Sequence, residues 1–120
     1  MAKILLADDE QDIIEFFGRI LYREGFEVVS ATNGEACFDL AKKAHPDLIL
    51  LDINMPNMDG GEVARRLSED KVTMNIPIIF VSGIIAKADE GFDRGRFMIS
   101  KGSSKEEIVN KIKTVLDMKV

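Results

Sequence analysis

The chain has 120 residues, which suits one domain spanning 1–120, with one core and no room for a second. A net charge of −5 argues against a nucleic-acid footprint, because phosphate backbones demand clustered Lys and Arg. Runs such as Ile4 to Ala7 and Leu48 to Leu51 are far too short to span a bilayer, and the start carries no signal-peptide pattern, so the expected location is cytoplasmic and away from membranes.

The elements alternate from the first residues onward. Ile4 to Ala7 is a continuous apolar run bounded by acids, as expected of a strand buried on both faces. Ile13, Ile14, Phe16, Phe17, Ile20 and Leu21 then recur at three- and four-residue spacing, the mark of one helix face, with Gly25 at its stop. Glu27 to Ala31 reads as the second strand. Asn33-Gly34 is a turn signal, and Ala36 to Lys43 reads as a helix ended by Pro46.

Leu48 to Leu51 is the most buried-looking strand. After the loop Met55 to Gly60, Val63, Ala64 and Leu67 form the apolar side of a third helix. Pro77 to Val81 is the fourth strand, Phe97 to Ile99 the fifth, and Ile108, Val109, Ile112, Val115 and Leu116 line a closing helix. Between Val81 and Phe97 the expected helix is short or frayed, since Gly91 and Gly95 would each cost about 1 kcal/mol in a helix interior. Five βα units in series predict an α/β fold: a doubly wound, five-stranded parallel sheet with helices on both faces.

Cys37, the single cysteine, lies in an apolar stretch and reads as a small buried hydrophobe. Phe16, Phe17 and Phe80 read as core. His45, the only histidine, precedes Pro46 and reads as a loop residue. Glu69-Asp70 reads as a solvated helix end. Ile84-Ile85 could pack inward or meet a partner.

Chemistry gathers at the strand ends, where doubly wound sheets bind ligands. The first strand ends in Asp8-Asp9-Glu10, the third in Asp52, the fourth in Ser82-Gly83, and the fifth runs into Lys101. Clustered carboxylates repel one another and call for a cation, and an all-oxygen set suits Mg²⁺. A lysine and a hydroxyl nearby suit phosphoryl oxygens, which makes Asp52 a candidate carboxylate nucleophile for an acyl phosphate. Gly83 leaves space beside Ser82 for a donor. Taken singly, these residues have plainer readings. Asp8 and Asp9 could cap a helix, Asp52 could close a strand, Ser82 could be a loop serine and Lys101 a solvated lysine.

In this order and spacing, Asp8-Asp9, Asp52 within Leu51 to Gly60, Ser82 and Lys101 resemble the receiver domains of two-component response regulators, over the whole chain. The resemblance implies the flavodoxin-like (βα)5 arrangement. It also implies that Asp9, Asp52 and the backbone carbonyl of Asn54 hold Mg²⁺, with Asp8 acting largely through water. Ser82 and Lys101 would bind the phosphoryl oxygens. A histidine kinase or phosphotransfer protein would supply the phosphoryl group, and a downstream effector protein would read the switch. Self-catalysed phosphorylation and dephosphorylation would be the only chemistry, with the side chains of Asn54 and Ile84 influencing the reset.

Three departures fall on the family's usual output face. Gly102 stands where proline usually follows the lysine, often after a cis bond that would cost about 2.5–4 kcal/mol without proline. Met98 stands at the usual aromatic switch position, and the Ser82 to Lys101 segment is a few residues short. These motivate a second reading, a degenerate receiver acting as a phosphorylation-independent protein-interaction module. A third, a phosphatase using aspartyl chemistry, lacks a second acid two residues after Asp52 and a cap insertion.

Overall fold

The computed structural model describes residues 2–53, 55, 60–83, 91–93 and 96–118. Strand β1 (Lys3–Ala7) leads into helix α1 (Gln11–Arg23), followed by β2 (Glu27–Ala31), α2 (Gly34–Ala44), β3 (Leu48–Asp52), α3 (Gly60–Glu69) and β4 (Ile78–Ser82). Two strands, β5 (Gly91–Asp93) and β6 (Arg96–Ser100), and helix α4 (Lys105–Asp117) complete the described chain.

The sheet order is β2-β1-β3-β4-β6-β5. All neighbours pair in parallel except β5, which pairs antiparallel to β6. The five expected strands therefore form the parallel sheet, and a short antiparallel strand is added at its edge. That strand occupies part of the stretch where a frayed helix was expected. Residues 84–90 of the same stretch, including Ile84-Ile85, lie outside the described residues, as do Asn54 and residues 56–59.

Alternation along the strands divides the core in two. Ile4 and Leu6 of β1, Leu48 and Leu50 of β3, and Ile79 and Val81 of β4 face α1 and α4. Leu5 and Ala7, Ile49 and Leu51, and Phe80 face α2 and α3, where Cys37, Ala41, Val63 and Leu67 meet them. Period-two alternation puts successive side chains on opposite faces, and helices on both faces bury each set. Cys37 is fully buried, and burial pushes its thiol up to about 12, which makes it an inert part of the core.

Local signals fix the helix ends. At the end of α1 the Phe26 N–H donates to Leu21 O and the Gly25 N–H to Tyr22 O, with Gly25 at φ +90°; this is a Schellman motif, sealed by buried Phe26 and Leu21. The Asn33 side chain accepts the Ala36 N–H at 2.8 Å, so Asn33 caps α2 and Gly34 is its first helical residue. His45 closes α2 in the left-handed region at φ 51°, ahead of Pro46. Ser104 and Glu107 form a capping box at the start of α4.

Two readings of individual residues change. Phe16 is 47% exposed, whereas Phe17 and Phe80 are core as expected. Adjacent helix residues are separated by about 100° around the axis, so Phe16 turns off the inward stripe that Ile13, Phe17 and Ile20 share. Asp70 ends α3 in a contact with Lys42 at 3.0 Å and accepts the Val72 N–H, which ties down what reads as a solvated end.

Candidate functional site: an acidic rim closed by one lysine

Register brings the carboxyl ends of four strands together. Ala7 pairs with Leu51, Asp52 with Val81, and Ser82 with Ser100. Asp8 thus leaves β1 beside the last residue of β3, while Lys101 leaves β6 beside the end of β4. Asp8, Asp52 and Ser82 are 4%, 3% and 2% exposed, respectively, although each is polar. Asp9 and Glu10 are exposed.

The Lys101 ammonium joins them. Its Nζ lies 3.1 Å from Asp8 Oδ2, 3.2 Å from Glu10 Oε1 and 3.6 Å from Asp52 Oδ1. The Lys101 backbone N–H donates to Ser82 O at 2.9 Å, tying the lysine to the end of β4. Gly83 runs beside its stem, because a Cβ there would touch Lys101 Cδ at 3.8 Å. No cis peptide occurs among the described residues, so the Lys101–Gly102 bond is trans.

Burial and pairing pull these groups in opposite directions. Burial raises the Asp8 carboxyl above the ordinary aspartate value and outweighs the Glu10 N–H and the Lys101 ammonium, both of which favour the carboxylate. For Lys101, burial alone would lower the pKa. The hydrogen bond and charge of Asp8, with Glu10 and Asp52, outweigh it and hold the ammonium above the ordinary lysine value.

The donor set fits a hard divalent cation. One carboxylate oxygen each from Asp8, Asp9 and Glu10 lies within 4.8 Å of the others. Oxygen-only ligands with a buried carboxylate among them suit Mg²⁺. Asp52 is not a member of that triad, although it shares Lys101 with Asp8. Asn54, expected as a carbonyl ligand, lies outside the described residues.

Gly60 sets the position of Asp52 from the other side. Its N–H donates to Ile53 O at 2.7 Å, and a Cβ at this position would lie 2.7 Å from Asp52 O and 2.8 Å from Ile53 Cα. Only glycine lets the start of α3 approach the end of β3 so closely.

The plainer reading of Asp8 as a helix cap is not what the contacts show. Asp8 Oδ1 accepts the Glu10 N–H at 2.9 Å, within the loop, and the N-cap of α1 is Glu10. Sequence reasoning counted Glu10 among the clustered carboxylates but gave it no contact of its own, and it placed Gly60 in a loop without a packing role. The unbroken acidic run Asp8-Asp9-Glu10 was the one signal for the former. Among the described residues, no helix is long and apolar enough to cross a membrane.

The model of the response regulator receiver domain matches residues 4–113. The chain belongs to the response regulator receiver family. This receiver is 33% identical over 87 residues to the polar-differentiation response regulator DivK of Brucella abortus, covering 72% of this chain and 71% of DivK. Its fold is that of a response regulator from Desulfuromonas acetoxidans, with a TM-score of 0.86 at 28% identity and 98% of both chains covered. The chemotaxis protein CheY4 of Vibrio cholerae matches with a TM-score of 0.84 at 29% identity, over 96% of this chain and 98% of that one. A receiver is a signalling switch of two-component systems, placed between a kinase and an effector.

Proposed function

We propose that this receiver is a phosphorylation switch in which Asp52 accepts a phosphoryl group from a histidine kinase or phosphotransfer protein. The observation that carries the reading is the Lys101 ammonium, set between the buried carboxylates of Asp8 and Asp52 at the ends of separate strands. A lone structural ion pair would not need two buried acids.

In the forward step an Asp52 carboxylate oxygen attacks phosphorus of the donor phosphohistidine. The P–N bond breaks, its electron pair returns to the imidazole, and an acyl phosphate forms on Asp52. Lys101 donates to one phosphoryl oxygen and the Ser82 hydroxyl to another. A Mg²⁺ ion held by Asp8, Asp9, Asp52 and the Asn54 carbonyl would supply positive charge against the transferring oxygens. Reset is hydrolysis: water attacks phosphorus, the P–O bond to Asp52 breaks, and the carboxylate returns with release of inorganic phosphate.

Incubation with acetyl phosphate and Mg²⁺ followed by intact-mass measurement tests the reading. Wild type should gain one phosphoryl group and Asp52→Asn none. A wild type that gains nothing would sink it.

One observation favours a second reading, that of a phosphorylation-independent interaction module. Met98, at the position of the usual aromatic switch, sits in β6 opposite Gly91 of the added edge strand. On this reading the pairing, rather than a phosphoryl group on Asp52, would set the conformation of that face. Unchanged effector binding by Asp52→Asn would support this reading.

A further inference from the structure

We propose that Glu10 is a positioning residue that holds the Lys101 ammonium on the acidic rim while Asp52 is unmodified and must release it before Lys101 can serve a phosphoryl oxygen. This inference rests on the phosphorylation reading above and concerns how that site is regulated.

Two independent observations support it. Glu10 is the N-cap of α1, in the extended conformation (φ −97°, ψ 114°), yet its side chain makes no capping hydrogen bond. An N-cap side chain ordinarily accepts an N–H of the first turn, and Glu is a poor choice for that task. Instead, its carboxylate crosses the rim to Lys101, 91 residues along the chain, at 3.2 Å. The backbone beneath it is pinned on both sides. The Glu10 N–H donates to Asp8 Oδ1 at 2.9 Å, and Glu10 O accepts the N–H groups of Ile13 and Ile14.

The second observation is the balance of contacts at the ammonium. Lys101 Nζ is within hydrogen-bond distance of Asp8 and Glu10, at 3.1 and 3.2 Å, but stands 3.6 Å from Asp52, too far for a hydrogen bond. A phosphoryl group on Asp52 draws the ammonium toward it and away from one of the first two. Releasing Asp8 would strand a buried charge without its cation, which is costly. Asp52 is the acceptor itself. The Glu10 side chain is 62% exposed, so water replaces Lys101 at little cost. Glu10 is therefore the contact that yields, and its strength sets how readily the site accepts a phosphoryl group.

The test measures initial phosphorylation rates against acetyl phosphate concentration, at fixed Mg²⁺, for wild type, Glu10→Gln and Glu10→Asp. Glu10→Gln should lower the half-saturating acetyl phosphate concentration about two- to fivefold, the range that a partly exposed ion pair supplies. Glu10→Asp keeps the negative charge but is one methylene shorter, and it should shift the same way because the contact is lost. An Asp variant that behaves like wild type shows that general repulsion of the anionic donor is responsible, and overturns the proposal. Calorimetry with Mg²⁺ alone gives a readout free of phosphate. A marked loss of Mg²⁺ affinity in Glu10→Gln, with slower phosphorylation, would make Glu10 a metal ligand and likewise overturn it. A wild type that takes no phosphate defeats both this inference and the reading beneath it. A phosphorylated wild type with an unshifted Glu10→Gln defeats only the role of Glu10.

Discussion

Asp8 carries a clear electrostatic conflict, since it is 4% exposed and burial holds its pKa above the ordinary value. A carboxyl whose folded pKa is raised binds its proton more tightly in the native state. Its contribution to stability is fully present below the unfolded value of about 3.9 and is lost as pH rises through the folded pKa. At neutral pH the ionised form is therefore a burden that Asn would not carry. In metal-free buffer, Asp8→Asn should melt higher than wild type at pH 7, by about 4 °C for each kcal/mol relieved, and the gap should close as the pH falls toward 4. Thermal melts at a series of pH values decide it, and a variant less stable than wild type at pH 7 would contradict the conflict. At this scale much of the site was legible. Asp8, Asp52, Ser82 and Lys101 each follow an apolar run, and a run of that kind ends at the rim of a parallel sheet. Glu10 was not legible in its role, because its partner is 91 residues away and only the tertiary fold supplies it. Phe16 misled for the opposite reason: an apolar residue one step off the stripe looks the same in sequence as one on it.

Helix α3 begins where β3 ends, and Gly60 is the point at which the two touch. A methyl group there would stand 2.7 Å from Asp52 O, against backbone that has nowhere to move without taking Asp52 along. Gly60→Ala should destabilise the domain by about 1–3 kcal/mol, as overpacking does, and should slow phosphorylation of Asp52 as well. Denaturant unfolding and acetyl phosphate labelling measure the two effects. Loss of stability with an unaltered labelling rate would separate α3 from the site. The regular elements were readable because their periods are strong over ten or more residues, as in α1 and α4. The edge strand Gly91–Asp93 was not. Three residues are too few to show a period, and the strand exists only through its pairing with β6. Glycines that argued against a sturdy helix in this stretch are compatible with a short strand, so the weakness was visible while its outcome was not.

The described chain is built on a sheet of five parallel strands and one antiparallel edge strand, its two faces sealed by separate apolar clusters, leaving the strand ends as the place where the buried carboxylates Asp8 and Asp52 collect. That division explains how a site of five charged side chains, Asp8, Asp9, Glu10, Asp52 and Lys101, coexists with an apolar core. The core holds the strands in register, and register alone carries Asp8, Asp52, Ser82 and Lys101 to one rim. The central claim is that this rim exists to place a phosphoryl group on Asp52. Acyl phosphates are reduced by borohydride to the corresponding alcohol, so a phosphorylated aspartate is converted to homoserine and marked permanently. After treatment with acetyl phosphate and Mg²⁺, then borohydride, peptide mass spectrometry should find homoserine at residue 52 alone. Homoserine at residue 8 or 9, or none in a protein that has gained a phosphoryl group, would contradict the account.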